Sequence, residues 1–294
     1  MTRRILVFTL MVLVWWAPRA DAACTGSGLA WNCSAGTTSA QLASALGSAT
    51  DGATLTFAAG TYSWSSFVSF SNTKGATLIC ASAGACDVSV SGTVLGMNGT
   101  LSGTNNKLYR ISGFDFSGGG AFVIWFYGQG TMTKVRIDHN SFSGQSSGNT
   151  LIFFGENATV ANFYGLVDHN TVTNSSTVAM MQTIGAKNSA PPPSQFGTVN
   201  NLFVEDNTIT IGTMTNPGLG CVDTWGGAAV VWRFNTTTNC LVTTHGATHA
   251  GGPSNIELYN NKIIMNAGAD ASFRDCYRCF HHQGSGEFIA FNNR

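Results

Sequence analysis

The sequence predicts a right-handed parallel β-helix, a single all-β solenoid with a short N-terminal capping helix. Three observations predict it. An Asn-punctuated β-type segment recurs along most of the chain, no helical period follows residue 50, and charged residues make up only 10% of the sequence. That charged share is far below the roughly 25% of ordinary soluble domains.

The repeats come first. Val135-Arg-Ile-Asp-His-Asn140-Ser-Phe142, Leu166-Val-Asp-His-Asn170-Thr-Val172 and Phe203-Val-Glu-Asp-Asn207-Thr-Ile209 are copies of one unit. They continue as Val231-Trp-Arg-Phe-Asn235, Leu258-Tyr-Asn-Asn261-Lys-Ile263 and Ile289-Ala-Phe-Asn-Asn293, and a degenerate copy spans Tyr109 to Phe116. The Asn returns at intervals of 30, 37, 28, 26 and 32 residues. Periods in this range mark solenoids or propellers, and most of these intervals are shorter than the roughly 40 residues of a propeller blade. Each unit is a short β-branched or aromatic run, a polar break and a second alternating run, so it reads as strands around a turn. Stacked coils set the Asn side chains in a ladder at about 4.8 Å spacing. Ile137, Phe142, Val167, Val172, Val204, Ile209 and Ile263 are the expected interior residues. The longest interval holds Ala190-Pro-Pro-Pro-Ser194, which no ladder strand accommodates.

At the amino end, a basic start, an apolar run from Ile5 to Trp16 and Ala20-Asp21-Ala22 form a secretory signal peptide over residues 1–22. The apolar run is too short to span a bilayer. The β-helix domain then occupies residues 23–294, in a soluble, exported protein. Its cap covers about residues 36–62: an amphipathic helix from Ser39 to Leu46 with Leu42, Ala45 and Leu46 on one face, the turn Asp51-Gly52, and the first strands. A solenoid needs such a cover over its first coil. The carboxyl end, inside a repeat at Asn293-Arg294, reads as uncapped or truncated.

Net charge is zero, and losing Arg3, Arg4, Arg19 and Asp21 with the leader leaves the mature chain near −2. That excludes the basic footprint of a nucleic-acid binder. A surface rich in Ser, Thr, Asn and Gly suits a polysaccharide partner. Eight cysteines, all after the leader, fall into the local pairs Cys24 with Cys33, Cys80 with Cys86, Cys221 with Cys240, and Cys276 with Cys279. Local disulfides suit an exported solenoid, although other connectivities are open. Cys276-Tyr-Arg-Cys279-Phe-His281-His282 also has metal-like spacing, and in an exported chain a disulfide is the preferred reading.

The helix, Asp-Gly turn, strand, Ala-Gly-Thr-Tyr62 segment and Asn ladder resemble the capped start and repeats of pectin-lyase-like right-handed β-helix proteins over about residues 36–294. Within that superfamily the chain looks like a secreted bacterial group carrying Glu205-Asp-Asn207, Asp223-Thr-Trp-Gly226-Gly227, His245-Gly246 and Gly284-Ser-Gly286. The resemblance implies a β-helix without fixing a reaction, because the fold carries lyases, hydrolases, epimerases and adhesins. Asp138-His139 and Asp168-His169 resemble the Ile-Asp-His segment of pectate lyases. The Arg-x-Pro-x-x-Arg segment of those enzymes and the Asn-x-Asp and Asp-Asp pattern of polygalacturonases have no counterpart here. Neither classical activity is expected.

Two outward columns offer chemistry. Two residues before the Asn slot stand Ser112, Asp138, Asp168, Glu205, Arg233, Tyr259 and Phe291. The acids Asp138, Asp168 and Glu205 give an alternative Ca²⁺ site, the one cofactor the sequence suggests, or else a solvated polar face. The other column, counted back from recurring glycines, reads Trp125, Ile152, Gln182, Asp223, Thr243 and Phe280. Here His245 is the expected base or acid, with Asp223 orienting it or sharing the proton transfer and Arg233 binding a sugar carboxylate. Trp225, Glu205, Gln182, His281 and His282 are the expected substrate-binding residues, Trp225 as an aromatic platform unless it stacks inside the coil. The functional expectation is a secreted lyase or hydrolase acting on an acidic polysaccharide. The alternative is a non-catalytic carbohydrate-binding or surface protein.

Overall fold

Short runs such as Val-Arg-Ile-Asp and Thr-Val-Thr-Asn alternate apolar and polar side chains, so each can bury one face and leave the other outside. A computed structural model shows how the chain uses them. It describes residues 23–98, 103–119, 122–127, 130–146, 150–155, 161–175, 179–184, 195–212, 222–244, 252–266, 280–282 and 286–294. These form a right-handed parallel β-helix. Its three sheets, here A, B and C, hold 12, 8 and 8 strands, and each coil visits them in that order. Among the described residues, no helix is long and apolar enough to cross a membrane.

The sheet A strands run from Ala53–Phe57 through Tyr109–Ser112, Gly130–Asp138, Ala161–Asp168, Leu202–Glu205, Ala229–Arg233 and Asn255–Tyr259 to Glu287–Phe291. Neighbours pair parallel, with Ala76–Cys80 between the first two, and the register shifts once, between Met132 and Val135. Inward residues fill the tube: Ile137, Phe142, Val167, Val172, Val204 and Ile209 are fully buried. Ile263 is only half-buried, because its strand Lys262–Ile264 is the last of sheet B. Like residues stack on like, as in Phe116 on Phe142 (centroids 5.3 Å) and Phe126 on Phe154 (5.6 Å).

The expected Asn ladder closes the A–B corner. The side-chain amide of each of Asn140, Asn170, Asn207, Asn235 and Asn261 donates to Oδ1 of the next ladder Asn, at 2.8–3.2 Å. That same Oδ1 accepts the backbone N–H of the Asn one rung before. The residue before each ladder position is left-handed: His139, His169, Asp206, Phe234, Asn260 and Asn292 have φ between 52° and 58°.

The N-terminal cap holds more than the helix expected from sequence. Helix α1 (Ser39–Ser48) starts at Thr38 with a capping box to Gln41 and buries Ser39, Leu42, Ala45 and Leu46. The Trp64 indole reaches back to the Thr37 carbonyl at 3.0 Å. An antiparallel hairpin, Cys24–Ser27 with Ala30–Cys33, also covers the first edge of sheet A. The Cys24–Cys33 disulfide staples that hairpin, and Cys80–Cys86 closes the corner between two strands. Cys240 is disulfide-bonded as well. Cys221, Cys276, Cys279 and the signal peptide lie outside the described residues.

Candidate carbohydrate-binding face and charged ridge

Sheet C presents the first candidate face. Its inward positions are apolar on five successive coils: Ile124, Ile152, Met181, Val222 and Val242 are all buried. One residue on, the outward register runs Trp125, Phe153, Gln182, Asp223, Thr243 and His281. This corrects the column counted from glycines, which placed Ile152 and Phe280 in it. Gly155 follows Phe154 where Tyr127 follows Phe126, so counting from the glycine slips by one residue, and one residue exchanges the faces of a strand. Phe154 is accordingly interior.

Aromatic rings dominate the amino-terminal half of this face. Phe122 stacks on Phe153 with centroids 4.8 Å apart. Trp125 touches Phe67 (6.3 Å), Phe122 (5.7 Å) and Tyr127 (4.9 Å). Trp225 lies 6.5 Å from Phe153, joining coils two apart. Phe67, Phe122, Trp125, Tyr127 and Trp225 are half-buried, so Trp225 is a surface ring and not interior packing. Gly96 lies under Trp125: a Cβ there would come within 1.8 Å of the Trp125 carbonyl oxygen. The two glycines after Trp225 have a local cause too. Gly226 and Gly227, at φ 63° and 84°, make the tight C–A corner.

Asp223 sits in the polar half of the column but not in an open groove. It is 1% exposed, and Phe153 and Thr243 in the same column are also buried. An outward strand position meets solvent only where nothing lies over it. The Thr243 hydroxyl, 3.1 Å from the Val222 carbonyl, lies 3.4 Å from Asp223 Oδ1. Gln182 and His281 share the Asp223 register, and His282 pairs one residue on, with Thr244. His245 lies outside the described residues.

Arg233 does not join Asp223. It ends the sheet A strand Ala229–Arg233, whose start adjoins sheet C, so the strand's length of about 13 Å separates it from that corner. Its guanidinium is engaged on the ridge: it forms a salt bridge with Glu205 at 2.5 Å, donates to the Tyr259 hydroxyl at 3.0 Å and lies 4.9 Å from the Phe203 ring centroid. Asp223 and Arg233 therefore lie on different sheets.

The ridge is the second charged site. As expected, Asp138, Asp168 and Glu205 stand in register on consecutive coils, followed by Arg233. They do not form the alternative Ca²⁺ site, because each carboxylate is taken by a guanidinium. Arg110 grips Asp138 through Nε (2.7 Å) and Nη2 (2.6 Å). Arg136 grips Asp168 likewise (3.2 and 2.9 Å) and also lies 3.4 Å from Asp138. Among the described residues, no three His, Cys, Asp or Glu side chains are grouped to hold a metal ion. Arg110 and Arg136 were legible in Tyr-Arg-Ile and Val-Arg-Ile, two residues before the acid column, but reading that column alone passed over them.

Asp138 and Asp168 each also accept from the Nδ1 of the adjoining histidine, His139 or His169, at 2.9 Å. The two exposed imidazoles stack at 5.0 Å and 3°. Burial alone would raise the Asp138 pKa. The hydrogen bonds from Arg110, His139 and Ser112, with the Arg110 charge, outweigh burial and hold the carboxyl below its ordinary value. The same partnership raises the Arg110 pKa.

No protein-family model matches the sequence, and no curated protein matches it. Solved structures do. An alginate lyase from Paenibacillus sp. str. FPU-7 superposes with a TM-score of 0.52 and 15% identity, over 90% of this chain and 94% of that one. A PL6 family polysaccharide lyase from Pseudopedobacter saltans superposes with a TM-score of 0.52 and 14% identity, over 92% of this chain and 63% of that one. The PL6 family alginate lyase AlyGC gives a TM-score of 0.49 and 14% identity, and this chain spans 42% of its length. At these identities the first two likenesses are of fold: the chain shares a parallel β-solenoid with polysaccharide lyases.

Proposed function

We propose that this protein is exported and acts on an acidic polysaccharide, which it holds along the outer face of sheet C. The observation that carries the reading is the half-buried cluster of Phe67, Phe122, Trp125, Tyr127 and Trp225 around Phe153. It runs across the coils into the register of Gln182, Asp223, Thr243 and His281. Aromatic faces accept the C–H face of a sugar ring. The neighbours of this fold that are alginate or polysaccharide lyases supply the polymers to try first.

Cleavage is the second reading, favoured by a buried carboxylate at the end of an aromatic track. Asp223 is the acid or base, and His245, next in sequence after the strand Val242–Thr244, is its proposed partner. Arg233 is left out of this chemistry, since Glu205 and Tyr259 hold it on another sheet. Alginate, polygalacturonate and a neutral glucan, each incubated with the protein, test both readings through depletion binding and the ultraviolet absorbance of unsaturated products. Trp125→Ala should weaken acidic-polymer binding about tenfold, the loss of one stacking contact. Asp223→Asn should bind like the parent and form no product. Acidic polymers retained no better than the glucan would sink the proposal.

A further inference from the structure

We propose a second sugar site, for a single uronate residue, on the A–B ridge at the carboxyl-terminal coils. This inference extends the polysaccharide reading and rests on it. A cleft of about 310 Å³ opens there, lined by Phe234, Asn260, Asn292, Lys262 and Arg294 among others. That is at the small end of ligand sites.

The lining has the chemistry of one ligand class. Lys262 and Arg294 are exposed, no side-chain carboxylate lines the cleft, and neither cation enters an ion pair among the described residues. Glu205, Asp168 and Asp138 of this ridge pair with Arg233, Arg136 and Arg110, and the exposed Asp206, one rung before Phe234, does not line the cleft. Two cations lining one cleft, neither in an ion pair among the described residues, suit an anion, and Arg294 can meet a carboxylate with two parallel N–H donors.

The cleft also has a wall for an apolar ring face. Phe234 is 46% exposed at a left-handed position (φ 58°), where a bulky side chain is strained. Every other described rung at this position, from His139 to Asn292, carries a polar residue. The Asn292 amide donates to Asn260 Oδ1 at 2.5 Å, which fixes both carboxamides on the cleft floor. The Arg294 backbone is pinned by its N–H to the Asn261 carbonyl and by its carbonyl to the Ile263 N–H. An aromatic wall, fixed amides and two free cations fit a carboxylated pyranose better than a simple anion, which needs no ring, or a neutral sugar, which needs no cations.

The test is calorimetric titration of the whole protein with trigalacturonate and with galactotriose, its neutral counterpart. The parent should bind trigalacturonate in preference to galactotriose, and more weakly as salt rises. Lys262→Gln with Arg294→Gln should cost at least tenfold in affinity, as should Phe234→Asn, which keeps a residue suited to the left-handed turn. Trp125→Ala should leave this binding intact. Equal binding of the two trimers, no binding of trigalacturonate, or binding that survives the double variant would overturn the ridge site. If acidic polymer still binds and depends on Trp125, only the ridge site has failed. If the parent binds neither trimer nor any acidic polymer, the polysaccharide reading fails with it.

Discussion

The A–B ridge and the outer face of sheet C are built from the same repeats and spend their polar groups differently. On the ridge the groups satisfy one another: Asn amides bond to Asn carbonyls rung by rung, and Arg110, Ser112 and His139 all donate to Asp138. On sheet C rings meet rings, and Phe67, Phe122, Trp125, Tyr127 and Trp225 are left half-buried at the surface. The ridge therefore reads as a device that holds the coils in register, while the sheet C face has binding capacity to spend on something outside the chain. The comparison predicts that mutations in the ridge's Asn ladder and ion pairs cost stability and that mutations of the sheet C rings cost binding.

The largest effect should come from the middle of the ladder. Asn207 donates to the Val167 and Glu205 carbonyls and to Asn235 Oδ1, and its own Oδ1 accepts from the Asn170 backbone and side chain. Asn207→Ala leaves those buried groups without partners, at about 3–5 kcal/mol from several hydrogen bonds of roughly 1 kcal/mol each. Urea unfolding followed by circular dichroism measures it. Since a solenoid's stability is a sum over neighbouring coils, the transition should also broaden or split. A loss below 1 kcal/mol would mean that the ladder decorates the corner without holding it.

The ladder was also the most legible part of the sequence. Six asparagines at intervals near one coil length, each followed by an alternating pair, leave little freedom of register, and one slip would bury a polar column. The cap helix was legible from the apolar stripe of Leu42, Ala45 and Leu46 ahead of the Asp51-Gly52 turn; the capping box of Thr38 and Gln41 was not read. Sheet C was read less well. Its strands have no punctuating residue of their own, and Gly155 follows Phe154, the partner of Phe126, one residue earlier in the register than the count assumed, so a glycine-based count misplaced Ile152 and Phe280. Asp223 and Arg233 were read together because sequence separation hides which sheet a residue joins. Ten residues part Asp223 from Arg233, and a tight Gly226-Gly227 corner and a whole strand lie between them. The two disulfides described, by contrast, join cysteines 9 and 6 residues apart, where local pairing is the geometry a solenoid allows.

A middle-sized effect should separate charge from shape on the ridge. Asp138 is buried and sits between Arg110 and Arg136. Asp138→Asn keeps the volume but strips Arg110 of its counter-charge and leaves Arg136 with Asp168 alone, at about 2–3 kcal/mol, below the usual figure for a buried pair because the arginines are partly exposed. The pH dependence gives an independent check. The Asp138 pKa is lowered in the folded state, so its stabilisation stands in full above the unfolded carboxyl's value near 4. It is lost as pH falls from there through the lower folded value. The stability gap between parent and variant should thus be constant from pH 7 to about 5 and shrink on further acidification. A gap that does not change down to pH 2 would show that the carboxylate's charge is not what Arg110 needs.

The smallest expected change is at Phe234, and its sign carries the information. On the ridge the left-handed position is filled by residues that tolerate it, such as Asn260 and Asn292 on the next two rungs, whereas Phe234 is a bulky side chain at φ 58°. Phe234→Asn relieves backbone strain of about 1 kcal/mol and prolongs the amide row that already joins Asn292 to Asn260. Against that, the ring is 46% exposed, and its contacts are an edge-on approach to Tyr259 at 6.2 Å and the Arg233 guanidinium at 5.6 Å. Contacts of that kind at an exposed site contribute roughly 0.5 kcal/mol each. The two sides nearly cancel, so the melting temperature should stay within about 2 °C of the parent. A fall well beyond that would make the ring a structural wedge between coils and would remove the reason to assign it to a ligand. An unchanged melting temperature with lost trigalacturonate binding would place Phe234 with the sheet C rings, as a side chain kept at a cost to the fold for what it holds.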